Sequence, residues 1–367
     1  MRVGRHLLAN RIVMPPMVIW RSGETGRVTD AHLDHYRKSA GPGLVIVEAT
    51  VVSPEGRLAA TQLGAFSDAQ IDGLASLAKV LRDGGAVPGI QLHHAGSRTD
   101  STKNYGGRIL APSRLADSRL EVEELSDEEI RRIIEDFAQA AVRAVQAGFE
   151  LIEIHGAHGY LGSQFLSPYL NRRTDEWGGA IENRVRFLVE VLSAVRDAAS
   201  EEIAQSAATG KGPTGRGLTV TVRLGVAEAA GGLSIDDGIH AAQLLEKAGA
   251  DALHVSHGGS IPFDLTANGG SWSPVVEMGR RVKRAVSIPV IGVGGIRKPQ
   301  EANSLIDSQV VDLVAVGRAM LADPGWATKT LSGHESRISV CQDCKPRCWH
   351  FTDPGKCPAR QRLKRIA

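Results

Sequence analysis

Eight short apolar, β-branched runs recur along the chain, at residues 11–14, 43–49, 87–92, 150–155, 218–223, 252–256, 289–293 and 312–316. Each is followed by a glycine-rich turn and then by a helical pattern. Near-continuous apolar strands separated by helices are buried on both faces, which is the mark of a parallel sheet. Eight β/α units within 367 residues point to an α/β chain folded as a closed (β/α)8 TIM barrel, since such barrels take about 250 residues plus insertions. The clearest helices are expected over 126–147, 181–198 and 234–248. Ser126-Asp127-Glu128-Glu129 opens the first as a capping box, and Ser234 with Asp236 and Asp237 opens the third with acids at the positive end of the helix dipole. The barrel is expected over residues 1–332, leaving a short extension, 333–367, that holds all four cysteines.

Composition narrows the function classes. Forty-three Lys and Arg against 41 Asp and Glu leave a net charge of +2, too small for a polyanion-binding chain. Aromatic residues make up 4%, too few for a surface that stacks single-stranded nucleic acid. No run of about 18 apolar residues is present, so no membrane span is expected. Met1 to His6 carries no apolar segment behind it, so no secretory signal is read and a cytoplasmic location is expected. A homo-oligomer acting on a small molecule fits this profile.

Three connections exceed ordinary barrel loops. Segments 97–125 and 156–180 leave the C-terminal ends of strands three and four, where barrel active sites are assembled. Segment 200–217, on the opposite face, reads as a mobile surface loop. The ends of strands seven and eight, Gly292-Val293-Gly294-Gly295-Ile296-Arg297 and Val316-Gly317-Arg318, offer glycines and backbone N–H groups suited to a phosphate. Arg223 ends strand five facing the mouth and needs an anionic partner. Gln91 ends strand three and Pro15-Pro16-Met17 ends strand one, so together these groups can grip a planar heterocycle. Strand four ends in His155-Gly156-Ala157-His158-Gly159-Tyr160, two imidazoles and a phenol able to polarise a carbonyl oxygen and donate a proton. A different class uses the strand-end histidines His93, His94, His155, His158, His254 and His257 as a metal-dependent hydrolase. Against it, Glu48 is the one carboxylate that reads as standing at a strand end.

These residues resemble the Old Yellow Enzyme flavoprotein family over about residues 8–332. The matching motifs are Asn10-Arg11-Ile12-Val13-Met14-Pro15-Pro16-Met17, Gln91-Leu92-His93-His94-Ala95-Gly96, and Ala111-Pro112-Ser113. The longest block runs from Ala147-Gly148-Phe149-Glu150 through His155–Leu161 and Phe165–Pro168 to Asn171–Gly179 and Glu182-Asn183-Arg184. The resemblance implies FMN at the barrel mouth, with Pro15, Pro16, Met17, Ala49, Gln91 and Arg223 along the ring and ribityl chain. It implies that Gly294, Gly295, Gly317 and Arg318 hold the phosphate. His155 and His158 would bind the acceptor oxygen of the substrate, and Tyr160 would be the proton donor in an ene-reduction driven by NAD(P)H. Two departures stand out. Val18 occupies a place where family members often put Thr or Cys against the flavin, and the chain begins so close to strand one that little remains to plug the barrel floor. Trp20 and Trp272 read either as mouth residues or as ordinary packing.

The tail reads Cys341-x2-Cys344-x3-Cys348-x8-Cys357. An irregular trio followed by a lone fourth cysteine suits a [4Fe–4S] cluster, with zinc and no metal as alternatives. It resembles the cluster-binding segment of the 2,4-dienoyl-CoA reductase and trimethylamine dehydrogenase branch, which implies an alternative amine-oxidising function that passes electrons outward. Seven basic residues (Lys345, Arg347, Lys356, Arg360, Arg362, Lys364, Arg365) face one acid, Asp353. That strip reads as a solvated face or as a dock for an acidic electron-transfer protein or subunit.

Overall fold

The computed structural model describes residues 1–114, 121–208, 217–229, 231–258, 272–344, 348, 350 and 353–366, with 364–366 described by their backbone alone. Eight parallel strands close into a barrel in chain order. They are β1 (Ile12–Met14), β2 (Leu44–Val51), β3 (Val87–His93), β4 (Leu151–Gly156), β5 (Thr219–Gly225), β6 (Ala252–Ser256), β7 (Val290–Val293) and β8 (Leu313–Ala315). Closure runs through β8 and β1, where Ala315 pairs with Val13. All eight strands coincide with the apolar runs, because every one is buried on both faces.

The principal outer helices are α1 (Asp30–Arg37), α2 (Ile71–Asp83), α3 (Asp127–Gln146), α4 (Arg186–Ala208), α5 (Ile235–Lys247), α6 (Pro274–Lys283), α7 (Pro299–Asp307) and α8 (Trp326–Leu331). The expected caps of α3 and α5 are present: Ser126 Oγ accepts from Glu129 N, and Ser234 Oγ accepts from Asp237 N. The single helix expected over 181–198 is instead a short one, Ile181–Arg184, followed by α4, which continues to Ala208. Residues 200–208 are therefore helical rather than loop, and 209–216 lie outside the described residues.

Along the barrel axis, polarity changes layer by layer. At the floor Val13, Leu44, Ile46, Leu151, Ala252, Ile291, Leu313 and Ala315 form one cluster. Val3 and Leu8 join it, because residues 1–8 fold into a hairpin, Arg2–Val3 against His6–Leu7, tucked under the strands. These few residues suffice to close the floor, contrary to the expectation from their number. His6 Nδ1 lies 2.9 Å from Thr219 Oγ1 and fixes the hairpin to β5. Further up the barrel the inward positions become polar: Glu48, Gln91, Glu153, Arg223 and His254.

Candidate active site

The mouth is assembled from strand phase. Inward side chains alternate, so on β4 Leu151 lines the floor, Glu153 the middle and His155 the rim. His155 is 5% exposed and His93, level with it on β3, is fully buried. Their Nδ1 atoms lie 3.0 Å apart. Beyond β4 the chain turns sharply: His158 adopts a left-handed φ of 65° and Gly159 one of 76°. That turn swings the His158 ring back, placing its Nδ1 2.9 Å from His155 Nε2 and its Nε2 2.7 Å from Ser256 Oγ. Gly258 permits this approach, since a Cβ there would sit 2.9 Å from the His158 backbone. Arg223 Nη2 donates to Ser256 Oγ at 3.1 Å. The Tyr160 ring packs edge-on against His93 and His155, at centroid distances of 4.5 and 4.9 Å.

Burial holds the imidazoles of His155 and His158 well below their ordinary range, with the Arg223 cation reinforcing the effect, so both are neutral at pH 7. The Tyr160 phenol is pushed up by burial and pulled partly back by Arg98 and Arg223, and so it keeps its proton. Beneath them Glu153 accepts from Gln91 Nε2 at 2.7 Å through one oxygen, and its other oxygen lies 2.7 Å from His254 Nδ1. Glu153 is a mouth carboxylate that the strand-end pattern does not reveal. Its signal is its inward phase two residues before His155.

The histidines expected at the strand ends do not form one group. His94 points outward, where its Nδ1 accepts from Gly96 N, and His254 is bound to Glu153. Among the described residues, no three His, Cys, Asp or Glu side chains are disposed to hold a metal ion.

Across the mouth, the ends of β1, β7 and β8 converge. Gly294 and Gly295 are left-handed, at φ 120° and 75°, and Ser273 Oγ donates to Gly294 O at 2.8 Å. Gly317 starts the short helix Arg318–Ala322, and a Cβ there would meet Met17 Sδ at 3.2 Å and Pro15 at 3.4 Å. Pro15 is buried, while Pro16, Met17, Val18 and Trp20 are half-buried. The segment that carries them is held from below by Glu48, whose Oε2 accepts from Ile19 N at 3.0 Å. Burial pushes the Glu48 carboxyl up to about 8. Trp20 is left-handed at φ 53°, whereas Trp272 packs on α6 and donates to Glu277. Residues 259–271 of the loop after β6 lie outside the described residues.

These residues fit FMN. Arg223 Nε is buried without a partner, as are the Nε2 atoms of His254 and His93. Stranded polar atoms around a mouth mark where a ligand completes the bonding. The glycine cradle at the β7 and β8 ends suits an anion. Ala49, buried on β2, spends its carbonyl on Gln62. Arg318 departs from expectation, because its Nη1 donates to Asp343 at 2.5 Å instead of standing free.

The long block of motif residues past His158 proves to be a clamp. Asn171 Nδ2 donates to Phe165 O and Trp177 O, Trp177 Nε1 donates to Asp127 Oδ1, and Arg172 N donates to Ser113 Oγ. Arg184 Nη2 donates to Asp237 Oδ2 at 2.6 Å. The loops after β3 and β4 are thereby locked to each other and to the helix starts.

The cysteine segment docks on the short helix Arg318–Ala322. Cys357 is buried against Ala322 and Ala359, while Cys341, Cys344 and Cys348 are half-buried free thiols. Burial raises the Cys341 thiol, and Cys348 and Cys357 are close enough to add to the rise. Among the described residues no three of these or other His, Cys, Asp or Glu side chains are grouped to hold a metal ion, so the expected cluster site is not shown. In the basic strip, Arg360 is half-buried and Lys356 pairs with Asp353 at 3.3 Å. Lys345 and Arg347, and the side chains of Lys364 and Arg365, lie outside the described residues. No helix among the described residues is long and apolar enough to cross a membrane.

Comparison with known proteins agrees with this fold. The profile of the NADH:flavin oxidoreductase / NADH oxidase family matches residues 1–336. An NADH oxidase of Thermoanaerobacter brockii is 38% identical over 95% of this chain, which spans only 52% of that protein. An NADPH dehydrogenase of Clostridium acetobutylicum is 38% identical over 86% of this chain and 89% of its own length. Among solved structures, morphinone reductase in complex with tetrahydroNAD superposes with a TM-score of 0.75 at 27% identity, covering 96% of this chain and 95% of that one. A 2-naphthoyl-CoA reductase shares the fold, with a TM-score of 0.82 at 24% identity over 96% of this chain and 54% of that one. By its motifs, its barrel and these relatives, the chain belongs to the NADH:flavin oxidoreductase / NADH oxidase family, the Old Yellow Enzyme family of FMN oxidoreductases.

Proposed function

We propose that this protein is an FMN-dependent ene-reductase that uses NAD(P)H to reduce a carbonyl-conjugated C=C bond. The observation that carries the reading is the convergence of His155, His158 and Tyr160 above a buried Arg223. Bound at the mouth, FMN would supply hydride transfer from NAD(P)H to the β-carbon of the alkene. Arg223 and Gln91 would line its ring beside Pro15, Pro16, Met17, Val18 and Ala49. Gly294, Gly295 and Gly317 would cradle its phosphate, with Arg318 exchanging Asp343 for it. His155 and His158, both neutral, hold the carbonyl oxygen through N–H donors, which draws charge away from the alkene. Tyr160, protonated at pH 7, delivers its proton to the α-carbon. The relatives named NADPH dehydrogenase and morphinone reductase support both halves of this reaction. The test is anaerobic. Purified protein should release FMN on denaturation, be bleached by NADPH or NADH, and regain its flavin absorbance on adding 2-cyclohexenone. Protein that takes up no FMN, or reduced protein indifferent to every conjugated enone tried, would refute the assignment.

A second reading concerns the tail, where Cys341 lies near Cys348 and Cys357 and Asp343 bonds Arg318 at the phosphate loop. With Cys344, these thiols would hold a [4Fe–4S] cluster or zinc, and an acidic electron carrier would dock at the basic strip. An amine-dehydrogenase direction of electron flow would use the same elements. Iron and zinc analysis of anaerobically purified protein decides between cluster and clip, and neither metal at stoichiometry removes both.

A further inference from the structure

We propose that His93 is a positioning residue that fixes the hydrogen of His155 on Nε2, the nitrogen turned toward His158 and the substrate oxygen. The inference rests on the reading that His155 binds that oxygen.

The bonding runs as one line through five side chains. From His93 Nδ1 to His155 Nδ1 is 3.0 Å, from His155 Nε2 to His158 Nδ1 2.9 Å, and from His158 Nε2 to Ser256 Oγ 2.7 Å. Arg223 closes the line by donating to the same Ser256 oxygen at 3.1 Å. A neutral imidazole has one N–H and one acceptor nitrogen, so each ring must donate on one side and accept on the other. The ends then decide the direction. Arg223 can only donate, and a hydroxyl oxygen has two lone pairs, so Ser256 can accept from Arg223 and from His158 together. At the other end His93 Nε2 is buried with no partner. A hydrogen placed there would be a stranded donor, whereas on Nδ1 it is bonded to His155. His93 therefore donates to His155 Nδ1, His155 carries its hydrogen on Nε2, and His158 donates to Ser256. All three links are satisfied, and His155 already presents the donor that a carbonyl oxygen takes over from His158 Nδ1. A second donor, at His158 Nδ1, takes the other tautomer of that ring, reached by exchange of its Nε2 proton, with the Ser256 hydroxyl then donating to Nε2.

Position 93 is what makes this possible. Phase on β3 puts Gln91 and His93 inside and His94 outside, so of the two adjacent histidines only the first reaches His155. The Tyr160 ring packs edge-on against His93, 4.5 Å between centroids.

The experiment compares the FMN-loaded wild type with His93→Asn and His93→Leu. Asn places its amide nitrogen about where Nδ1 was and keeps the donor, while Leu removes it. Histidine ¹⁵N–¹H correlation spectra, with His155 assigned through His155→Gln, should show its hydrogen on Nε2 in the wild type and in His93→Asn. His93→Leu should show a mixture, with reoxidation of the reduced enzyme by 2-cyclohexenone slowed about tenfold, the equivalent of one hydrogen bond of roughly 1.4 kcal/mol. His155 protonated on Nδ1 in the wild type, or a His93→Leu spectrum unchanged from it, would overturn the proposal. If His93→Leu does not fold, the wild-type and His93→Asn spectra still decide. The spectra are independent of turnover, so a protein that reduces no enone refutes the ene-reductase reading without touching the tautomer result.

Discussion

The two ends of the barrel interior are built from the same strands and behave as opposites. On β4 the inward residues run Leu151, Glu153, His155; on β6 they run Ala252, His254, Ser256; on β2, Leu44, Ile46, Glu48. At the floor, apolar side chains close on the N-terminal hairpin, and the imidazole there, His6, has partners in Thr219 and Glu150. At the mouth, His93, Arg223 and His254 each keep a buried atom without a hydrogen-bond partner, while Glu48 Oε1 lies 3.6 Å from His32 Nε2. Stranded polar atoms cost stability. Such atoms occur elsewhere in the chain too, His6 Nε2 at the floor among them despite its approach to Glu150, but those of His93, Arg223 and His254 lie where a ligand at the mouth can complete them. The floor holds the barrel together, and the mouth draws on that stability.

Acid is the broadest way to break the comparison. Burial lowers His32 to about 4 and His93 and His94 to about 3, all on the mouth side or beneath its loops. These rings are neutral in the folded protein and regain an ordinary value of about 6.5 when it unfolds. Their contribution is complete above pH 6.5 and is lost as pH falls toward 3. A pKa lowered by one corresponds to about 1.4 kcal/mol, so three such groups together outweigh any single substitution below. Glu48, raised to about 8, acts in reverse and loses its contribution as pH rises from about 4.5 to 8. Urea midpoints measured between pH 8 and 4 should fall steadily below pH 6.5, and a flat profile over that range would mean the rings are not buried neutral.

A pair of substitutions separates the ends directly. Tyr160→Phe should slow flavin reoxidation by an enone about 10²- to 10⁴-fold while moving the unfolding free energy by no more than about 0.5 kcal/mol. Flavin reduction by NAD(P)H should be nearly unchanged. Leu151→Ala at the floor should do the reverse. Its side chain is 1% exposed, and truncation costs about 2–5 kcal/mol of stability with normal reoxidation by the protein that stays folded. Equal damage to both half-reactions in the first variant, or lost turnover at full stability in the second, would dissolve the distinction.

The sequence makes the floor and the barrel legible because burial on both faces leaves an unmistakable apolar run. The mouth is legible only in part. His155, His158 and Tyr160 stand out as a polar cluster after a strand, but Glu153 hides inside one, and only its phase with Leu151 and His155 turns it inward. His93 and His94 look equivalent as neighbours, and strand phase alone separates the one in the network from the one outside it. The N-terminal hairpin escapes because two-residue strands have no periodicity, and its turn rests on Gly4 at φ 50°. Arg318 escapes for a different reason: its partner Asp343 lies in the extension, at a sequence separation of 25 residues, where no local pattern reaches.

The smallest expected effect tests the mouth at its rim. Val18 sits in the half-buried stretch between Met17 and Ile19, and Glu48 anchors that stretch through the Ile19 N–H. With FMN at the mouth as proposed, residue 18 would present its side chain to the ring from a backbone fixed from below. A valine has nothing to donate to a reduced flavin. Val18→Thr is nearly isosteric and adds one hydroxyl. A hydrogen bond to a charged acceptor contributes about 1.5–3 kcal/mol, which for a two-electron couple is a rise of about 30–60 mV in midpoint potential. Redox titration of the two FMN-loaded proteins measures it, and the stability of the barrel should not move, since no floor contact changes. An unchanged midpoint would place residue 18 away from the flavin edge and shift the ring toward the β4 side of the mouth. A raised midpoint with altered urea stability would show that the rim and the core are coupled through Glu48, which the division between floor and mouth does not allow.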